Sequence, residues 1–415
     1  MAPQRPRTNL NPGVRGRRAA SSHVAPINSE DRTLMTYTPA SDICSDRAAS
    51  RSLAICPGVE PFLHGNGTLY LLPLPGREQL QVDAPFGAWV HQLVVTKQAP
   101  DIPGEDQAAL CEVLDYLTAE GYLRSASTIA SDDTATHDRQ VRWFGQEGLD
   151  GPARQRELAA KSVLVLGVGG LGGSVAEMLA RAGVGHLVVL DHDVVEHANL
   201  PRQMLYASAD VGRTKVAAAK DRLNAVAPWT RVDTVHVEVD SPDVVTRLIE
   251  QHSINLVVCA IDRPAITIKG IVERGSLPLG VPVIHGGHRP PNAYIGPFTI
   301  PGETSCYDCF HAGTVTAGNE MLEVELSANR DRNPINFPAV VWGDATTASL
   351  LVAQIVPWLA GVHETTIAGR ELEVDMRTFA TRFIDSAVET RCELCNVESG
   401  DRAVLRAPQV SAAAA

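Results

Sequence analysis

Ser162-Val-Leu-Val-Leu-Gly-Val-Gly-Gly-Leu-Gly172 decides the fold. Its first five residues contain one polar side chain, at the start, followed by an aliphatic run of strand length, which reads as a strand buried on both faces. Gly167, Gly169 and Gly172 then fit G-x-G-x-x-G, with Gly170 inside the same turn, and a small-residue helix runs on to Ala182. The first glycine makes the turn, the second lets a phosphate approach the backbone, and the third lets helix and strand pack closely. The start of the helix offers unpaired N–H groups to an anion. The next strand, His186 to Asp191, ends on an acid nineteen residues after Gly172 (191 − 172), where a carboxylate can accept from a ribose hydroxyl.

Outward from this stretch the chain keeps alternating. Lys215 to Val226 reads as a helix, Arg231 to Val239 as a strand and Asp243 to Gln251 as a helix. Asn255 to Ala260 and Val281 to His285 read as further strands. The pattern predicts an α/β fold, a Rossmann-like, doubly wound and mostly parallel sheet. Upstream, Leu69 to Leu74 and Leu80 to Val82 read as short strands, and Phe86 to Val95 and Ala108 to Leu123 as amphipathic helices. Residues 56–126 are therefore expected to form a small α+β domain, and the polar, small-residue stretch 127–138 a linker. The α/β domain is expected over 139–400. Residues 1–55, rich in Pro, Arg, Ser and Asn, and 401–415 are expected to be tails that bury too little surface to offset the entropy of ordering.

Composition bounds the function. The chain has 415 residues and a formal net charge of −12, which argues against a general nucleic-acid binder. No run reaches the 18 or so apolar residues of a membrane span. The basic N-terminus lacks the apolar core of a secretory signal. Eight cysteines are too sparse for a disulfide scaffold. Cys306-x-x-Cys309 and Cys392-x-x-Cys395, separated by residues 310 to 391, instead place two thiolates on each of two turns. Four sulfurs complete a tetrahedron around Zn2+ with no open position, so a structural zinc site is expected. The paired thiols suit a reducing compartment, and a cytoplasmic location is expected. No cysteine lies between Phe310 and Arg391, so no enzyme-bound thioester is expected there.

The glycine motif alone leaves NAD and ATP in competition. A dinucleotide is held by backbone amides, whereas cleavage of a triphosphate needs cations for the charge that develops on the leaving pyrophosphate. Arg202, in Asn199-Leu-Pro-Arg-Gln203, and Lys215, at a helix start after Val211-Gly212-Arg213-Thr214, are placed to supply them.

At this point the sequence resembles the ThiF/MoeB-type adenylyltransferase family, which is related to ubiquitin-activating enzyme and includes the microcin C adenylating enzyme. The resemblance covers about 60% of the chain, Arg139 to Asn396. It rests on the glycine motif, Asp191-His192-Asp193, Asn199 to Gln203, Val211-Gly212-x-x-Lys215, Ala260-Ile261-Asp262 and the cysteine pairs. It implies that Asp191 holds the ribose of ATP and that Asn199, Arg202, Gln203 and Lys215 surround the triphosphate. It implies that Asp262 holds Mg2+, with Asp193 the alternative ligand, and that zinc sits on the four cysteines. Arg139-Gln140 matches the end of a family pattern, Arg-Tyr-x-Arg-Gln, whose second arginine reaches into the partner subunit's site. That implies a homodimer with Arg139 in the catalytic set. The first Arg and Tyr are missing here, and Arg142 is a rival.

The implied reaction is activation of a C-terminal carboxylate as acyl-AMP. The small domain resembles the winged-helix domains that bind leader peptides of ribosomally made natural products (RiPPs), with a dimerisation or lid domain as the alternative. The expected substrate is a ribosomal precursor peptide. The alternatives are a ubiquitin-like sulfur-carrier protein and a non-catalytic leader-peptide scaffold. Gly286-Gly287-His288-Arg289 reads as a loop in which His288 and Arg289 guide a carboxylate tail, or as a surface loop with incidental charges.

Overall fold

The computed structural model describes residues 53–56, 59–73, 79–98, 100–125, 136–146, 149–264, 267–316 and 338–385, with Cys392, Leu394 and Cys395. The chain divides into two units, Met1–Asp133 and Thr134–Ala415. The expected disordered tail before Leu53, the linker before Thr136 and the C-terminal tail lie outside the described residues.

In the first unit β1 (Leu53–Ile55) pairs antiparallel with β5 (Leu123–Ser125). β2 (Val59–Leu63), β3 (Leu69–Pro73) and β4 (Leu80–Val82) form an antiparallel sheet in that order. Two helices, α1 (Phe86–Val94) and α2 (Gln107–Ala119), share one apolar core with these strands. The apolar period that reads as one helix through Leu123 is broken four residues early. Gly121 adopts φ +74°, a left-handed turn that favours glycine, and Leu123 begins β5. β1 falls inside the stretch expected to be tail, because three residues carry no readable period.

The second unit opens with α3 (Asp138–Gln146) and α4 (Gly151–Ala159). α4 starts where Asp150 accepts a hydrogen bond from the Ala153 N–H (3.1 Å) and Pro152 occupies the first turn. β6 (Ser162–Leu166), α5 (Gly170–Ala182), β7 (His186–Leu190), α6 (Lys215–Val226) and β8 (Arg231–Val235) follow. Then come α7 (Pro242–His252), β9 (Leu256–Cys259), α8 (Thr267–Ser276), β10 (Val283–Arg289) and β11 (Asn292–Thr299). The described chain continues with α9 (Tyr307–Thr316), α10 (Val341–Leu359), β12 (Arg370–Asp375) and β13 (Thr381–Asp385).

These strands make one eight-stranded sheet in the order β13-β12-β11-β10-β9-β6-β7-β8. The five strands from β10 to β8 are parallel, and β11 to β13 are added antiparallel. Successive residues of β6 divide the core. Val163 and Val165 join one apolar cluster, and Leu164 and Leu166 join the other. This is the two-residue period of a strand covered on both faces. β10 runs through Arg289, so Gly286 to Arg289 is strand rather than loop. No described helix is long and apolar enough to cross a membrane.

Candidate active site

The connectivity places the crevice. From β6 the chain winds outward through β7 to β8, then returns to β9 on the other side of β6. Ligands of open α/β sheets sit at such a reversal, beyond the carboxyl ends of the strands. Gly167 follows β6 there and Asp262 follows β9.

The glycine turn is shaped by close approaches. Gly167 has φ +83°, and a Cβ on it would stand 2.7 Å from Ile261 Cγ2. A Cβ on Gly172 would lie 1.9 Å from the Gly167 carbonyl oxygen, so α5 can begin against the turn only with glycine there. Asp191 fixes the turn from the end of β7. Its two oxygens accept from the Val168 N–H and the Asp193 N–H, each at 2.9 Å, and it is buried. Tyr206 donates its hydroxyl to the Val168 carbonyl (2.6 Å).

The basic side chains stand on the segment between β7 and α6. Lys215 is buried, and its Nζ donates to Asp193 Oδ2 (2.7 Å) while its N–H bonds the Asp193 carbonyl (2.9 Å). Burial raises the Asp193 carboxyl, but Lys215, His192 and Arg263 together hold it below the usual carboxylate range. Arg202 donates to the Ala198 carbonyl (2.6 Å). Asn199 Oδ1 accepts from the Glu196 N–H (3.0 Å), closing a short helical turn at His197–Asn199.

Gln203 is the sharpest sign of a ligand. It is buried, its Nε2 lies 3.6 Å from where a Cβ of Gly169 would stand, and its Oε1 has no hydrogen-bond partner among the described residues. A buried amide oxygen left unpaired beside a phosphate-binding turn fits a site whose occupant supplies the donor. Asp262 is exposed at the end of β9.

The structure adds a residue that sequence reasoning missed. Asp344, in the first turn of α10, lies directly against the glycine turn, with Oδ2 only 1.9 Å from the position of a Gly170 Cβ. Its Oδ1 pairs with His288 Nδ1 at 3.0 Å, both side chains are buried, and His288 Nε2 accepts from the Val340 N–H (3.3 Å). His288 is thus committed to holding Asp344, not free to guide a tail. The available signal was Gly343-Asp344 opening an apolar helix: a Cβ on Gly343 would meet the His288 ring at 2.5 Å.

Arg139 does not join this crevice within its own chain. Its neighbour Gln140 bonds the Ala182 carbonyl (2.7 Å) at the far end of α5. Twelve residues of helix separate Ala182 from Gly170, about 18 Å at 1.5 Å per residue. Arg139 is exposed, and Arg142 pairs with Asp138 at 3.1 Å.

The four cysteines converge. Cys306 and Cys392 Sγ atoms are 3.7 Å apart, Cys309 and Cys395 3.9 Å, and all four lie within 4.8 Å of one another. Bonds of about 2.3 Å in a tetrahedron put sulfurs about 3.8 Å apart. The cluster is therefore compatible with Zn2+.

A glycine turn at a sheet reversal, with buried Lys215 and a buried Gln203 beside it, fits the nucleotide-binding class of doubly wound folds. The ThiF family model matches residues 137–397. The molybdopterin-synthase adenylyltransferase of Escherichia coli K12 is 32% identical over 267 residues, 64% of this chain and 98% of that protein. The sulfur carrier protein adenylyltransferase of Thermus thermophilus is 31% identical over 61% of this chain and 88% of its own. Among solved structures, E. coli MccB with ATP superposes with a TM-score of 0.61 at 19% identity, over 83% of this chain and 99% of that one. PaaA superposes at 0.61 and 21% identity, over 79% and 98%. The chain belongs to the ThiF family and is an ATP-dependent adenylyltransferase that activates a substrate carboxylate.

Proposed function

We propose that the substrate is a ribosomal precursor peptide, activated at its C-terminal carboxylate during natural-product biosynthesis and captured by the first unit. One observation carries this. The second unit, Thr134–Ala415, holds 282 of 415 residues, about 68% of the chain. The match to MccB covers 83%, so it extends into the first unit. The E. coli molybdopterin enzyme is matched over nearly its whole length by 64% of this chain. MccB has also been solved with N-formylated MccA, at a TM-score of 0.62. The first unit offers a small antiparallel sheet, the type of edge to which peptides add as a strand.

In this reading the substrate carboxylate oxygen attacks the α-phosphorus of ATP, the bond to the bridging oxygen breaks, and pyrophosphate leaves. No protein nucleophile takes part, so catalysis is positioning and charge neutralisation. The glycine turn, Asn199 and Gln203 hold the nucleotide, and Asp191 orients the turn and receives the ribose. Lys215 and Arg202 meet the charge on the leaving pyrophosphate. Mg2+ held by Asp262, with Asp193 beside it, would supply further neutralisation of that charge. Arg139 acts across a homodimer, a reading supported by its distance from the crevice of its own chain. Cys306, Cys309, Cys392 and Cys395 would hold Zn2+, which would supply a structural link between α9 and the segment at Cys392. The enzyme works in the cytoplasm.

A second reading keeps a specific support. The sequence relatives above 30% identity act, by name, on molybdopterin synthase and sulfur carrier proteins. The non-catalytic scaffold gives way, because the chain is an adenylyltransferase. ATP–pyrophosphate exchange separates the remaining two: stimulation by a precursor peptide, and not by a carrier protein ending in Gly-Gly, is the expected result. Stimulation by the carrier alone would overturn the peptide reading.

A further inference from the structure

The opposite end of the sheet carries a second cluster that the adenylation chemistry does not use. His186 opens β7, Asp233 lies in β8, and His252 ends α7. From His186 to Asp191, five strand residues at about 3.3 Å each put this cluster about 17 Å from the nucleotide crevice. His186 Nε2 is 3.0 Å from Asp233 Oδ2, and His252 Nδ1 is 3.6 Å from the same oxygen. The three donor atoms lie within 4.8 Å of one another, and all three residues are half-buried. The two rings meet at 54° with centroids 5.7 Å apart, so both turn a nitrogen edge toward the carboxylate.

We propose that His186, Asp233 and His252 bind a divalent transition-metal ion of the zinc class, separate from the four-cysteine cluster. Bonds of about 2.1 Å in a tetrahedron separate ligand atoms by about 3.4 Å, between the two distances observed. Two imidazoles and one carboxylate are a borderline donor set that suits Zn2+ rather than Mg2+ or Ca2+. An outer shell is present. The Ser162 hydroxyl lies 3.2 Å from His186 Nδ1, which fixes the ring with Nε2 turned to the site. Arg231 also bonds Asp233 Oδ2, so the carboxylate is oriented but shared with a cation, and the site binds more weakly than four thiolates.

Three protein ligands leave a fourth position. Two of the ligands, His186 and His252, also line a cavity of about 420 Å³ with Lys161, Ser162 and Arg231. Lys161 and Arg231 are paired with Glu157 and Asp233, so the cavity is polar and suits a water ligand on the metal. A bound ion would tie the end of α7 to β7 and β8, which already pair as neighbouring strands.

The test uses the full-length protein as isolated. Zinc content is measured by elemental analysis after equilibrium dialysis against micromolar free Zn2+. The wild type should bind one equivalent more than either His186→Gln or His252→Gln, with unchanged circular dichroism in the variants. Equal metal content in wild type and variants would overturn the proposal. Because a variant can lose its fold, a second measurement uses the wild type alone. Diethyl pyrocarbonate labelling read by mass spectrometry should slow at least tenfold at His186 and His252 when Zn2+ is added, and stay constant at exposed His64. Labelling at His186 and His252 that ignores zinc would also overturn it.

Discussion

Replacing Lys215 by methionine separates the chemical role of this residue from its structural one. Methionine keeps the unbranched length and apolar stem of lysine and removes only the charge and its donors. The structural loss is bounded by the partner. Lys215 has 8% of its side chain exposed, but Asp193 has 50%, so water can replace the lost 2.7 Å contact on the acid side. A pair so solvated on one side contributes about 1 kcal/mol or less. The catalytic loss is expected to be larger, because in the proposed reaction the ammonium meets charge that grows as pyrophosphate departs. Removing one such electrostatic contact costs about 100- to 1,000-fold in rate, about 3–4 kcal/mol. The assay is ATP–pyrophosphate exchange at saturating ATP, with urea denaturation of the same samples. Exchange should fall at least 100-fold while the unfolding free energy falls by about 1 kcal/mol or less. Exchange within a few-fold of wild type would show that Lys215 serves only to pair Asp193, and the reasoning about the leaving group would fail.

Cys392→Ser should lose one equivalent of zinc and unfold at lower temperature, since metal binding energy at a closed site contributes to folding; full metal content would remove the four-cysteine assignment. Asp262→Asn should abolish adenylate formation while leaving most of the ATP affinity, because an amide binds a hard cation far less well than a carboxylate; near-wild-type exchange would pass the metal to Asp193. Mixing Arg139→Ala chains with Asp262→Ala chains should restore part of the activity through hybrid dimers, and no recovery would place Arg139 outside the site. Burial pushes the Glu371 carboxyl up to about 7, against Lys269 and with Glu373. Between the ordinary carboxylate range and about pH 7 the folded chain holds a proton that the unfolded chain releases, so this group lowers stability as pH rises through that window. Glu371→Gln should flatten that part of a stability–pH profile, and an unchanged slope would refute it.

What the sequence made legible follows physical range. The glycine turn, β6, β7, α6 and the acid at 191 are written in neighbouring residues, and their boundaries fall within two residues of expectation. The long parallel core reads well because strands buried on both faces are continuous apolar runs. Three features resisted. β1 and β5 are three residues each and exist only because they pair across about seventy residues of chain. β12 carries Glu371, Glu373 and Asp375 at alternate positions and β13 is a largely exposed edge strand, so their strand character is settled by pairing rather than by composition. The contact of Asp344 with Gly170 joins positions 174 apart (344 − 170), and no local pattern announces it.

The electrostatics of the crevice set a condition on how ATP enters. Its two main cations are already engaged within the protein, Lys215 by Asp193 and Arg202 by the Ala198 carbonyl. Three carboxylates, those of Asp191, Asp193 and Asp344, stand around the same turn. A tetravalent nucleotide placed there would compete with these partners for Lys215 and Arg202, close to the three carboxylates. Neither cation is surplus, so in the proposed reaction a divalent ion held by Asp262 would supply part of the balance. The same balance assigns Asp344 a part. Like Asp191 it is buried, and it is also paired with His288 and pressed on Gly170. Its charge then bears most directly on whatever sits in the turn, and it favours an occupant whose phosphates arrive already neutralised.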